Sequence, residues 1–210
     1  PNGVLEEFAA LDAVRRLKPP PVADAWVRRL VALNDHYGRL GLTTVDDLLA
    51  TVMPDPLATF RRAAEAGFAP RVGLFLQWDP ERGLPDLTDA DRTGRVRVAG
   101  VKLVTDGAYS NRTAWTLEPY PGGDDCGLPT LSASELVRGV DWARRNGVQA
   151  AVHAMGDRAI TLVIDTFADA DPWLEDAPSI RIEHCTLVSD DMLDRIAGAR
   201  MRFGLVSHTI

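Results

Sequence analysis

Two cysteines in 210 residues, Cys126 and Cys185, are too few for a disulfide framework, and neither belongs to a C-x-x-C pair. Free thiols in a reducing, cytoplasmic setting are expected. Basic charge is scarce too: 23 Lys and Arg stand against 30 Asp and Glu, a formal net charge of −7. A chain that grips phosphate backbones normally carries a basic face, so neither nucleic acid nor an anionic membrane is expected as a partner. No apolar run approaches the roughly 18 residues needed to cross a bilayer, and no charged, apolar and small-residue succession opens the chain as a leader would. There is no internal repeat and no low-complexity tract, and proline clusters only at Pro19-Pro20-Pro21. Missing as well are the G-x-G-x-x-G and Walker sequences that cradle phosphates in nucleotide-binding sheets.

What is present is an ordinary globular composition, 46% hydrophobic and 25% charged, in a length that suits one domain over residues 1–210. The chain opens on Pro1 rather than Met, and the strand-like Phe203–Ser207 has no closing element before Ile210. A piece of a longer polypeptide is therefore expected. Apolar residues recur at helical spacing over Leu5–Leu17, from Ala23 to about Tyr37 ending before Gly38, and from Pro56 to Ala66. Short β-rich runs are centred on Thr43–Val45, Val72–Leu76, Val98–Val104, Val148–His153, Ile180–His184 and Phe203–Ser207. Between the later runs lie a helix opened by a Ser132…Glu135 capping box and stopped at Gly147, then helices over Asp157–Ala168 and Asp190–Ala197. Strands that alternate with helices over short connections predict parallel βα units. Six strands fall short of the eight of a closed (β/α)8 barrel, and on count alone a doubly wound sheet stays open.

A chemically capable residue recurs at or near the C-terminal end of a strand: Lys102 with Asp106, His153 with Asp157, and Glu183-His184. In a barrel that end is the catalytic face. Strict alternation through Val98–Val104 puts Val98, Gly100 and Lys102 on one face and Val101 and Leu103 on the other. Lys102 is then either an edge charge reaching for solvent or a buried amine with a lowered pKa, a free base able to form a Schiff base or a carbamate. His153 or His184 alone reads as a hydrogen-bonded core histidine. Two of only 4 histidines ending consecutive strands, however, point to a metal, because neutral imidazole is its commonest side-chain donor. Asp157 reads equally as a cap of the helix that follows or as a substrate contact. Glu183 is expected to point away from His184 and to be structural. His36, near a helix end, and His208, beyond the last strand, have weaker contexts.

Taken in order, Gly100-Val-Lys102-Leu-Val-Thr-Asp106-Gly107, Asn111-Arg112-Thr113-Ala114, Pro119-Tyr120, His153-Ala-Met-Gly156-Asp157-Arg158-Ala159 and Ile182-Glu183-His184 resemble the successive motifs of the YtcJ-like amidohydrolases (amidohydrolase family 3), a metal-dependent branch of the amidohydrolase superfamily. Gly3-Val-Leu-Glu6 and Gly41-Leu-Thr-Thr-Val-Asp46 resemble the same family, so the likeness spans nearly the whole chain. The resemblance implies a (β/α)8 TIM barrel whose metals are held by a His-x-His pair on strand one, a carboxylated lysine on strand four, histidines on strands five and six and an aspartate on strand eight. Lys102, His153 and His184 match the middle three positions; the chain contains no His-x-His. An incomplete barrel of about strands two to seven, without the family's terminal β-rich domain, is expected. Also implied are one or two divalent ions, zinc first and iron or manganese otherwise, a small-molecule amide substrate hydrolysed at a C–N bond, and substrate contacts from Asp106, Tyr109, Arg112 and Asp157. Six strands cannot close the barrel, so their unpaired edges predict a homo-oligomer with little activity of its own. Two other readings stay open, a Schiff-base lyase or aldolase on Lys102 and a non-catalytic truncated barrel.

Overall fold

A computed structural model describes residues 22–49, 53 and 55–207, together with positions 10, 13, 14, 16 and 17. Most of the expected Leu5–Leu17 helix, the Gly3–Glu6 segment and His208 lie outside the described residues. Among the described residues from 22 onward the elements in chain order are α1 (Ala23–Arg39), β1 (Thr44–Asp47), α2 (Pro56–Glu65), β2 (Arg71–Gln77), α3 (Asp89–Arg92), β3 (Val96–Val104), α4 (Ala133–Arg145), β4 (Gln149–Ala154), α5 (Asp157–Phe167), β5 (Ile180–His184), α6 (Asp190–Gly198) and β6 (Phe203–Ser207). A 3₁₀ turn over Tyr109–Asn111 lies in the long loop after β3. All six expected strands are present. α1 runs two residues past the expected stop, through Gly38, because the left-handed exit falls at Gly41 (φ 70°). α3, opened by a Thr88…Asp91 capping box, and the 3₁₀ turn were not among the expected elements. No helix among the described residues is long and apolar enough to cross a membrane.

The strands form one parallel sheet in the order β1-β2-β3-β4-β5-β6. Every crossover moves one place in the same direction, with no reversal of the kind that makes a switch point in a doubly wound sheet, and this excludes that alternative. The sheet is also curled. β1 and β5 would lie about 19 Å apart if four strand spacings were laid flat, yet Arg181 of β5 meets Asp46 of β1 at 3.5 Å. Helices cover the convex face. There Leu30, Phe60 and Ala63 pack on Val72, Leu74 and Val96, and a larger cluster sets Leu136, Trp142, Ile160 and Ile164 against Val101, Leu103, Val152 and Ile182. The concave face is the lumen of a half-barrel.

One local departure decides what enters that lumen. Leu74 pairs with Val98 but Phe75 pairs with Gly100, so Ala99 is an extra residue in β3. A single-residue bulge reverses the face taken by every later side chain. Val96 before it packs on the helices, and so do Val101 and Leu103 after it. Strict alternation had placed Val98 with Lys102; instead Val98 keeps step with Leu74 on the helix side, and the bulge turns Lys102 inward. Gly100, just after the bulge, is where Phe75 approaches closest, and a Cβ there would collide with its ring.

Candidate metal centre

Lys102 sits on a central strand between β2 and β4 and is 5% exposed, which removes the reading of an edge charge reaching for solvent. Burial pushes its amine down from the usual 10.5 to about 8; the Glu183 carboxylate opposes that shift and the Arg181 guanidinium adds to it. At neutral pH a small but usable fraction is the free base.

On β4 the residues Ala150, Val152 and Ala154 pack against helices, so His153 shares the lumen face with Ala151, which is paired with Lys102. On β5 the same rule sends Ile180 and Ile182 outward and Arg181 and Glu183 inward, and it would turn His184 toward the helices. The chain escapes the rule by taking left-handed conformations at His184 (φ 71°) and Cys185 (φ 43°), which are uncommon and costly for residues with a Cβ. Strain of this kind concentrates at functional sites. The His184 ring ends 4.4 Å, centroid to centroid, from the ring of His153. A bulge in β3 and a left-handed turn after β5 thus serve one purpose, gathering Lys102, His153 and His184 at one end of the sheet.

His153 Nε2 lies 2.9 Å from the carbonyl oxygen of Gly107 and 3.4 Å from Asp106 Oδ1. A carbonyl can only accept, so Nε2 is the protonated nitrogen and Nδ1 is the one able to ligate. Metal-binding histidines are commonly oriented in this way, their second ring nitrogen donating to a carbonyl or carboxylate. The donors therefore fit a divalent ion: two adjacent imidazoles, one with its tautomer fixed, and a buried amine convertible to an anionic two-oxygen bridge. Among the described residues no three His, Cys, Asp or Glu side chains converge.

Asp106 is fully buried, and its carboxylate accepts from three backbone N–H groups, Trp115 at 2.9 Å, Gly156 at 2.7 Å and Met155 at 3.0 Å. It clamps the loop after β3 onto the end of β4. Gly156 lies so close to Trp115 that a Cβ would strike its backbone carbonyl. Asp157 is the first residue of α5, whose N-cap is Gly156; its carboxylate accepts from Arg158 N in the first turn at 2.9 Å and from Leu117 N at 2.7 Å, so it serves the helix start and is a second tie to the same loop. Arg112 donates to the carbonyl of Pro121 at 2.6 Å and lies over the Tyr120 ring, against which Tyr109 also packs. Tyr109 is 46% exposed. Arg181 is the lumen residue that sequence reasoning missed, and Glu183 is its partner. Arg181 Nε donates to Glu183 Oε1 at 2.8 Å, an ion pair inside the lumen; Glu183 does not point to the face opposite His184 as alternation predicts, because the left-handed turn brings His184 to the same side, and its charge acts on Lys102. The available signal was Arg-x-Glu inside an apolar strand, which puts two opposite charges on one face.

The amidohydrolase family model matches residues 1–207. YtcJ of Bacillus subtilis (strain 168), classed by name as an amidohydrolase, is 28% identical over 116 residues, 55% of this chain and 22% of its own length. The exoenzymes regulatory protein AepA of Pectobacterium carotovorum is 25% identical over 179 residues, 80% of this chain and 37% of its own. The chain thus spans well under half the length of these curated relatives. Among solved structures, a metal-dependent hydrolase from Pyrococcus furiosus superposes with a TM-score of 0.73 at 27% identity over 95% of this chain and 42% of that one. One from Pyrococcus horikoshii gives 0.66 at 25% over 97% and 43%.

Proposed function

The chain belongs to the amidohydrolase family, and from that premise we propose that it is the central part of a metal-dependent hydrolase acting on amide-type C–N bonds of small molecules. The observation that carries this reading is the approach of the His153 and His184 rings to 4.4 Å, on the two strands that follow the one carrying the buried Lys102. In this reading the six strands are strands two to seven of an eight-stranded barrel, and the His-x-His pair and final aspartate that the family resemblance implies come from outside these 210 residues.

Lys102, His153 and His184 would hold the ion, zinc in first place and iron or manganese otherwise. A divalent metal supplies an acidified water and a polarised carbonyl at neutral pH. The protein's part is preparation. As the free base, the Lys102 amine would add to carbon dioxide, forming an N–C bond and releasing one proton to solvent, and as a carbamate it would offer the ion an anionic oxygen donor. Gly107 and Asp106 fix the proton of His153 on Nε2. Asp106 and Asp157 hold the long loop in place, while Tyr109 and Arg112 on that loop stand as substrate contacts. The same reading includes a cytoplasmic homo-oligomer with no nucleic-acid or membrane partner.

Elemental analysis after dialysis tests the assignment. Wild type should carry bound zinc, iron or manganese, while His153→Ala and Lys102→Ala should lose it, with partial recovery of the lysine variant in short carboxylic acids. Equal metal in all three proteins would overturn the site. Borohydride trapping of a carbonyl substrate on Lys102 would instead mark a Schiff-base lyase, the reading that a lowered lysine pKa also suits.

A further inference from the structure

The hydrogen bond that orients His153 ends on one peptide unit. His153 Nε2 donates to the carbonyl oxygen of Gly107 at 2.9 Å, and the N–H of that same peptide, Ala108 N, donates to Thr113 Oγ1 at 3.0 Å. The peptide is trans, so its C=O and N–H point in opposite directions within one plane. The imidazole and the hydroxyl therefore hold that plane from its two ends. Gly107 brings no side chain and the most permissive backbone of any residue, so nothing within it fixes the plane.

Thr113 grips this unit with its backbone as well. It is buried, its N–H donates to the Ala108 carbonyl at 3.1 Å, and its own carbonyl accepts from Gly107 N at 3.1 Å and from Leu128 N at 3.0 Å. The chain comes back onto Ala108 through Arg112, which takes a left-handed conformation (φ 60°), uncommon for a residue with a Cβ and strained in the way that functional sites are. Hydrogen bonds in series polarise one another, so an amide whose N–H is engaged accepts more strongly at its C=O. A stronger acceptor on the Nε2 proton in turn makes Nδ1, the nitrogen left to ligate, a better donor.

We propose that Thr113 is a positioning residue of the metal centre, its hydroxyl fixing the Gly107–Ala108 peptide and, through that peptide, the tautomer and ring orientation of His153. The proposal rests on the metal-dependent hydrolase reading for its purpose, while the clamp itself is tested in metal-free protein. Thr113 acts through two other residues, so its substitution changes the site without removing a ligand.

Long-range proton–nitrogen NMR spectra of the metal-free protein at about pH 8.5, where an ordinary imidazole is neutral, report the tautomer of His153. Wild type should show the Nε2–H form alone. Thr113→Val, which keeps the shape and removes the acceptor, should add a resolved Nδ1–H component, and Thr113→Ser, which keeps the hydroxyl, should not. Calorimetric titration with zinc should show about tenfold weaker binding in Thr113→Val, the usual loss when an orienting partner goes, and less than about a twofold change in Thr113→Ser. Ala108→Pro removes the N–H itself, leaves no buried donor unpaired, and makes the same comparison if the valine variant does not fold. A merely structural Thr113 would lower the melting temperature and leave the tautomer alone, so an unchanged tautomer in both Thr113→Val and Ala108→Pro overturns the proposal. A changed tautomer with unchanged zinc affinity overturns the role at the metal centre. Absence of zinc binding in wild type defeats the metal reading, and the tautomer comparison then decides by itself whether Thr113 sets His153.

Discussion

At the scale of the residue, Lys102 is the most informative side chain, because its environment disfavours the charge that a lysine normally carries. Folded, it releases its proton near pH 8; unfolded, near 10.5. Between those values the unfolded chain holds more protons than the folded one, so stability rises with pH across that window. Below about pH 8 both states are protonated and the penalty for burying the ammonium is complete, about 3 kcal/mol for the full shift. Lys102→Met removes the penalty. In chelator-treated protein, urea unfolding should show the variant's advantage over wild type at its largest near pH 7 and reduced by about 3 kcal/mol at pH 10.5. Burial raises the pKa of Cys185 and Tyr120, which erodes stability as pH climbs, but it does so in both proteins and cancels in the difference. A gap that stays constant with pH would show that the amine is not buried as a near-neutral group.

At the scale of the element, the loop after β3 and the end of β4 are joined by one carboxylate. Asp106 accepts three backbone N–H groups and touches the Nε2 side of His153, so it acts on the site through other residues as a positioning group. Asparagine has the same shape but only one accepting oxygen, and its NH₂ would face an N–H it cannot satisfy. Asp106→Asn should therefore cost about 2 kcal/mol in urea unfolding. It should also weaken metal binding by about tenfold or more in calorimetric titration, the usual effect of losing an orienting partner. Its far-ultraviolet circular dichroism should be unchanged; unaltered metal affinity would limit Asp106 to holding the loop. The elements themselves were legible. Ser132 and Glu135 form the expected capping box, Ser132 N donating to Glu135 Oε2 at 2.8 Å, and the strand sequence places Lys102 and His153 at strand ends. The two features that aim the site were not legible. Val-Arg-Val-Ala-Gly-Val reads as continuous strand whether or not Ala99 is bulged, and histidine carries no signal for φ 71°. The glycine at position 100 is a local cue for a bulge but does not say which residue is the extra one, and the register that does lies in the pairing with β2.

At the scale of the molecule, the lumen of the half-barrel is crossed by charge rather than filled by apolar side chains. Arg181 reaches Glu183 on its own strand, Gln149 on the next and Asp46 across the lumen, with its guanidinium over the Phe75 ring. These contacts differ in strength. Asp46 is 42% exposed at the side chain, and an ion pair of that kind is worth no more than about 1 kcal/mol. Glu183 is 4% exposed, so its carboxylate depends on Arg181 for compensation. Removing one partner of a buried pair costs about 3–5 kcal/mol, whereas replacing both with apolar residues of similar volume is near neutral. Arg181→Met should accordingly lower the free energy of unfolding by about 3 kcal/mol at pH 7, Asp46→Asn by less than about 1, and Arg181→Met with Glu183→Leu should recover most of the first loss. Urea midpoints of the four proteins decide it. If the double variant falls as far as Arg181→Met alone, the Arg181–Glu183 contact is not a compensated pair, and the curl of the sheet owes its stability to the helices packed on the convex face.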